Sequence, residues 1–119
     1  MNDRRLENRY LCADLVRVDW QEGEDEVQTA SAVLEDISVI GACVQVEAPI
    51  PLAAPLTIRV RDQQFPGVVT YCVYRDYGYF VGVRFCEETR WSTGVFEPQH
   101  LTNLRELGKS TQNSVADIF

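Results

Sequence analysis

Several features are missing from this sequence, and each absence excludes a class of protein. No apolar run reaches the ~18 residues that a membrane-spanning helix needs. The first residues do not combine a basic segment with a following apolar stretch, so no secretory signal is expected. We therefore expect a cytoplasmic protein that does not insert into a membrane.

Metal ligands and catalytic motifs are also scarce. The four cysteines lie 31, 29 and 14 residues apart without a CxxC pair, and His100 is the only histidine. Structural zinc sites usually draw their ligands from close pairs, and His100 has no serine or cysteine partner in a recognisable catalytic motif. We predict no metal, no cofactor and no enzymatic activity. The thiols are expected to be reduced and mostly buried: Cys12, Cys43, Cys72 and Cys86.

The sequence has few positive charges. It contains 11 Lys and Arg but 18 Asp and Glu, and its formal net charge is -7. Nucleic acid binding depends largely on neutralising many phosphates, so a nucleic acid partner is not expected. Tyr71, Tyr74, Tyr77 and Tyr79 could form a stacking platform for single strands, but ordinary packing is the simpler interpretation. A small anion is a different case, because two or three well-placed arginines suffice to bind it.

What is present is a chain of 119 residues with 45% apolar side chains, enough for one domain with a real core. Six segments alternate apolar and polar residues or are rich in strand formers, and acidic, proline-rich or glycine-containing turns separate them. The predicted strands are 10–20, 27–36, 42–48, 56–61, 68–75 and 79–85. This spacing is typical of a small antiparallel barrel or sandwich.

The character of the sequence changes after the last predicted strand. Leu101, Leu104 and Leu107 recur at helical spacing, with Pro98 near the start of the run and Gly108 just after it. This pattern predicts one short amphipathic helix over residues 97–107, packed on the sheet.

A cluster of arginines, "RRLENR", occupies residues 4–9 of this acidic chain. A solvated charge cluster is the ordinary interpretation of such a run. However, Arg4, Arg5 and Arg9 are all arginine rather than lysine. Guanidinium groups pair bidentately with phosphate oxygens and with the O6/N7 edge of guanine, which a lysine cannot do.

A second motif, "DISVIG", covers residues 36–41 and has the form D-x-S-x-x-G. Asp36, Ser38 and Gly41 would each suit an ordinary turn. They would also suit a guanine site, because a carboxylate accepts from the N–H donors of the Watson–Crick edge and a hydroxyl both donates and accepts. Gly41 would leave room where a ligand or another strand comes close.

Taken in order, Arg-x-x-x-Arg, an interval of 27 positions from Arg9 to Asp36, and D-x-S-x-x-G in an all-β pattern resemble the PilZ domain family. The sequence "GVRF" at 82–85 is similar to the strand that commonly closes that fold. The resemblance covers about residues 4–105. It implies an all-β fold, a six-stranded antiparallel β-barrel with a short C-terminal helix. The domain would span 1–107, including the arginine arm and the helix, with 108–119 as a flexible tail.

The resemblance also implies a function, that of a non-enzymatic receptor for cyclic di-GMP in bacterial second-messenger signalling. Arg5 and Arg9 would clamp phosphate and guanine, and Asp36 and Ser38 would contact a guanine edge. The remaining site residues would be Arg4, beside the arginine motif, Gly41 in the turn and Gly82 on the barrel face. The arm would fold over the nucleotide, and the signal would pass to an unidentified downstream protein. The alternative is an adaptor of this fold that binds proteins but not the nucleotide.

Overall fold

The fold is built from strands. The computed structural model describes residues 9–98 and the main chain of residues 102 and 103. Its strands are β1 (Tyr10–Gln21), β2 (Val27–Ile37), β3 (Gly41–Val46), β4 (Pro55–Val60), β5 (Gln63–Arg75), β6 (Gly78–Phe85) and the two-residue β7 (Thr102–Asn103). All of their pairings are antiparallel.

The first six strands close into a barrel. The order across the sheet is β2-β3-β6-β5-β4-β1, and β1 also pairs with β2 along almost its whole length. Because every strand of the ring has a neighbour on both sides, closure leaves few unpaired edges. β7 lies outside this ring, beside Tyr10 and Leu11 at the start of β1. The prediction of a six-stranded antiparallel barrel is confirmed.

The core is formed by the inward-facing side chains of all six strands. In β1, every second residue from Cys12 to Trp20 is buried, as the pleat of a half-buried strand requires. Val18, Val44 and Val81 are completely inaccessible to solvent. Trp91 and Phe96, which follow β6, add to the same core, so the segment after the last barrel strand packs against the barrel.

β5 starts earlier than predicted. The sequence places a turn over 62–67, whereas the turn is limited to Arg61 and Asp62 and the strand begins at Gln63. Pro66 pairs with Thr57, and its carbonyl accepts a hydrogen bond from the Cys86 amide. Phe65 is buried against Phe85, with ring centroids 5.4 Å apart. Burial of this aromatic side chain outweighs the usual resistance of proline to strands.

The predicted helix over 97–107 is not what the described residues of that range adopt. Residues 97 and 98 have no regular structure, and Thr102–Asn103 pairs with β1 as a strand. Main-chain hydrogen bonding to the start of β1 therefore replaces the helical pattern at that point. The remaining residues of this range, residues 1–8 and the predicted tail at 108–119 lie outside the described residues.

Candidate functional site

A cleft of about 150 Å³ lies on the outer face of the barrel, where β2, β3, β5 and β6 meet. Arg9 borders it, directly before the first residue of β1. The lining also includes Asp36, Ser38, Gly41, Tyr71, Gly82 and Arg84. The volume is below the roughly 300 Å³ of pockets that enclose a whole drug-sized ligand, so the cleft can enclose only part of one.

A β-bulge turns Asp36 toward this cleft. Leu34 pairs with Val44, but the next pair is Asp36 with Cys43. The chain therefore advances by two residues in β2 and by only one in β3. Leu34 and Val44 both face the core. The extra residue, Glu35, therefore moves Asp36 to the outer face, which is the typical effect of a bulge on the residue that follows it.

A second bulge does the same for Tyr71. Val69 pairs with Val83 inside the core, and the next pair is Tyr71 with Gly82. Thr70 is the extra residue here, and Tyr71 emerges on the outer face. Since Gly82 also pairs with Cys43 in β3, a continuous row of cross-strand neighbours crosses the cleft: Asp36, Cys43, Gly82 and Tyr71.

Gly82 is required by the ring of Tyr71. A Cβ atom at position 82 would lie 2.2 Å from Cε2 of Tyr71, far inside van der Waals contact. The ring therefore lies directly on the glycine and covers Cys43, which is only 2% exposed although it faces outward. Because it has no side chain, Gly82 leaves the space that the Tyr71 ring occupies at the edge of the cleft.

Ser38 and Gly41 close the tight connection between β2 and β3. The Ser38 hydroxyl donates to the Gly41 carbonyl at 3.2 Å and accepts from the Ile40 amide at 3.3 Å. The Ser38 amide donates to the same carbonyl at 2.8 Å. A hydroxyl has one donor and two acceptor sites, so Ser38 retains one acceptor for a ligand. A Cβ at Gly41 would lie 2.7 Å from the Val83 carbonyl oxygen, so close strand packing excludes a side chain there.

Asp36 is the electrostatically unusual residue of the cleft. It is 2% exposed, and its Oδ2 has no hydrogen-bond partner within the described part of the chain. Burial raises the pKa of this carboxyl to about 8, with Arg9 opposing the rise and Glu35 adding to it. A buried carboxyl with an unsatisfied oxygen is costly, unless a ligand supplies the missing donor.

Burial also suppresses ionisation of the neighbouring thiol. The pKa of Cys43 is raised to about 12, first by burial and then by the Asp36 carboxyl, while its interaction with the Tyr71 hydroxyl acts in the opposite direction. Cys43 is therefore an unreactive thiol that fills space under Tyr71. Of the other cysteines, Cys12 is buried, Cys72 is half-buried and Cys86 is exposed, so Cys86 departs from the expectation of burial.

The sequence named seven site residues, and the fold brings five of them to one cleft: Arg9, Asp36, Ser38, Gly41 and Gly82. Arg4 and Arg5 lie outside the described residues. Sequence reasoning weighed Tyr71 only as part of a stacking platform for single-stranded nucleic acid, preferred ordinary packing, and gave Arg84 no role. Arg84 follows Gly82 by two positions, and residues at i and i+2 of a strand share a face. That signal was available in the sequence, whereas the bulge that exposes Tyr71 was not.

Fold and site together define a small β-barrel domain with an arginine-bordered cleft on its outer face. The PilZ domain family model matches residues 3–91, which is most of the chain. The protein belongs to the PilZ domain family. No curated protein sequence matches it closely enough to count as a relative. Within the described residues, no helix has the length and apolar character needed to cross a membrane.

Proposed function

We propose that this protein is a receptor that binds cyclic di-GMP in the cleft and passes the signal on by protein contact. The proposal agrees with the general role of the PilZ family. The observation that carries it is the convergence of Arg9 with Asp36, whose buried Oδ2 lacks a hydrogen-bond partner among the described residues. This pairing suits a ligand that presents anionic oxygens and N–H donors together.

Each part of the nucleotide has a complementary group in the cleft. Guanine N1–H and the exocyclic amine would donate to the Asp36 carboxylate, which is an acceptor only. The Arg9 guanidinium would form a fork with a phosphate or with the O6/N7 edge of guanine. The Tyr71 ring offers an apolar surface beside these groups, on which a base can stack.

Arg4 and Arg5, in the segment before Arg9, would add further contacts to the phosphates and guanines of the bound nucleotide. In this proposal the segment closes over the bound nucleotide, while Asp36 and Ser38 are already positioned by the barrel. The ligand then changes the surface that a downstream protein recognises.

Calorimetric titration with cyclic di-GMP tests the proposal and gives the stoichiometry. Arg9→Ala should weaken binding about 10- to 150-fold, because loss of a charge-assisted contact costs on the order of 1.5–3 kcal/mol. Arg75→Ala removes an exposed arginine at the far end of β5 and is the matched control, with unchanged affinity.

Cyclic di-AMP serves as the ligand control. Adenine lacks the N1–H donor and the exocyclic amine of guanine that would pair with Asp36, so we expect it to bind at least about 100-fold more weakly. A folded wild-type protein that binds neither nucleotide would instead indicate the alternative function, an adaptor that recognises only proteins.

A further inference from the structure

A second and larger groove, of about 770 Å³, lies away from the nucleotide cleft and shares no lining residue with it. One wall is formed by residues 28–31 of β2 and the other by residues 46–49, at and after the end of β3. Both walls are runs of consecutive residues. Because neighbouring residues of a strand point to opposite faces, such runs show that the groove exposes the edges of the two segments rather than one face.

The groove exists because β2 and β3 separate. Their pairing extends only from Val33 with Gln45 to Ile37 with Ala42. In the described part of the chain, residues 27–32 of β2 have β1 as their only strand neighbour. Every second residue of this stretch directs its N–H and C=O away from β1, into the groove. Six residues offer an edge of about 20 Å.

The charge of the groove selects its occupant. Glu22, Glu26 and Glu47 line it, and none of its lining residues is basic. All three are exposed. The remaining lining includes the half-buried Ala30 and the exposed Ala48 and Pro49, which offer apolar contact beside the carboxylates. A segment that alternates basic and apolar side chains would match both features.

A second copy of the same chain does not meet this requirement. The chain carries a net charge of -7, and two copies joined along this edge would bring two carboxylate-lined grooves together. Like charges placed together at an interface cost several kcal/mol.

We propose that the free edge of β2 is a docking site for an extended, lysine- or arginine-bearing segment of a partner protein, which adds to the barrel as a strand. The partner would be held by main-chain hydrogen bonds to residues 27–32 and by ion pairs to Glu26 and Glu47. This inference does not depend on nucleotide binding, and its test is carried out without nucleotide.

The probe is a fluorescently labelled synthetic peptide in which four lysines alternate with four valines, titrated by anisotropy into the full chain. Two further peptides separate charge from strand addition. One replaces the lysines with glutamates and should bind at least about tenfold more weakly. The other keeps the lysines but is N-methylated at every amide, which removes the N–H donors that a strand needs. It should also bind at least about tenfold more weakly.

Two double variants with the same change in net charge locate the site. Glu26→Lys with Glu47→Lys reverses two groove carboxylates, whereas Glu24→Lys with Asp25→Lys reverses two carboxylates in the turn of the β1–β2 hairpin, next to Glu26, that do not line the groove. We expect the groove variant to weaken binding about tenfold or more, and the hairpin variant less than about threefold.

Amide exchange on the full chain completes the test, with protection rising at those amides of residues 27–32 that point away from β1 when the lysine–valine peptide is added. Equal losses in both double variants, or equal binding of the N-methylated peptide, would overturn the proposal in favour of diffuse attraction. Protection of the outward-pointing amides of 27–32 without peptide would show that the chain itself covers the edge. A dimer that the groove variant dissociates would identify a second copy as the occupant.

Discussion

Replacing Asp36 with asparagine should stabilise the free protein and abolish nucleotide binding. The carboxyl is 2% exposed and its pKa is raised to about 8, mainly by burial. In the unfolded chain the same group titrates near 3.8. Asparagine has nearly the same shape but no charge, so it removes the cost of keeping this carboxyl protonated below pH 8, or ionised above it, inside the folded protein. It also replaces one acceptor oxygen with an amide NH2 group. This group is a donor, so it cannot accept a hydrogen bond from the N–H donors of guanine.

The magnitude follows from proton linkage. Between about pH 4 and pH 8 the folded state binds more protons than the unfolded state, so the free energy of unfolding falls as the pH rises. The slope is about 1.4 kcal/mol per pH unit, which amounts to about 4 kcal/mol at pH 7. The asparagine variant should therefore match the wild type near pH 4 and exceed it by up to about 4 kcal/mol at neutral pH.

Urea denaturation of both proteins at pH 4, 5.5, 7 and 8.5, without nucleotide, measures this difference. Asp62→Asn, at an exposed position of the β4–β5 turn, is the control and should track the wild type at every pH. Equal stabilities of the wild type and the Asp36→Asn variant at pH 7 and 8.5 would refute the argument, because the carboxyl would then ionise in the folded state without cost.

The affinity for cyclic di-GMP should rise about tenfold per pH unit from pH 6 to pH 8 and then level off, since binding holds Asp36 ionised and releases its proton; calorimetry in two buffers detects that proton, and Asp36→Asn should show no such rise. Arg9→Lys should lose most of the affinity in the same titration although the charge is kept, and near-normal binding would mean that only a diffuse positive field acts there. Gly82→Ala should displace the Tyr71 ring and cost about 1–3 kcal/mol of stability in thermal unfolding; an unchanged stability would contradict the described contact. Amide exchange should show protection rising at residues 4–10 when cyclic di-GMP is added, and an arm already protected in the free protein would exclude the order transition.

The barrel was predictable because alternation of apolar and polar residues reports directly which face of a strand is buried. All six predicted strands exist, and most of their bounds agree within two residues. The larger errors arose where tertiary contacts override local preference. Pro66 is typical of a turn, yet it lies within β5 beside the buried Phe65. The leucine spacing after residue 97 reads as a helix, yet Thr102–Asn103 pairs with β1.

The site was predictable in its composition but not in its geometry. The order of the two motifs identified Arg9 and Asp36, which the fold brings to one cleft. Strict alternation from Leu34 would place Asp36 inside the barrel, and alternation from Val69 would place Tyr71 there too. The bulges at Glu35 and Thr70 place both side chains on the outer face instead. No residue type in either stretch predicts a bulge.

The bulges also explain why a stable barrel retains an unfavourable group on one side. Asp36 is turned outward by one bulge but remains buried, and the other bulge places the Tyr71 ring on Gly82 in the same row of neighbours. Glycines at 41 and 82, within or at the end of strands, each weaken a strand by roughly 0.5–1 kcal/mol relative to alanine. These costs all fall at one place, the junction of β2, β3, β5 and β6. A ligand that donates to the Asp36 carboxylate and packs against Tyr71 would offset them. The nucleotide-bound protein should therefore gain more stability at neutral pH than at pH 5, because releasing the Asp36 proton on binding costs more the further the pH lies below the pKa of about 8.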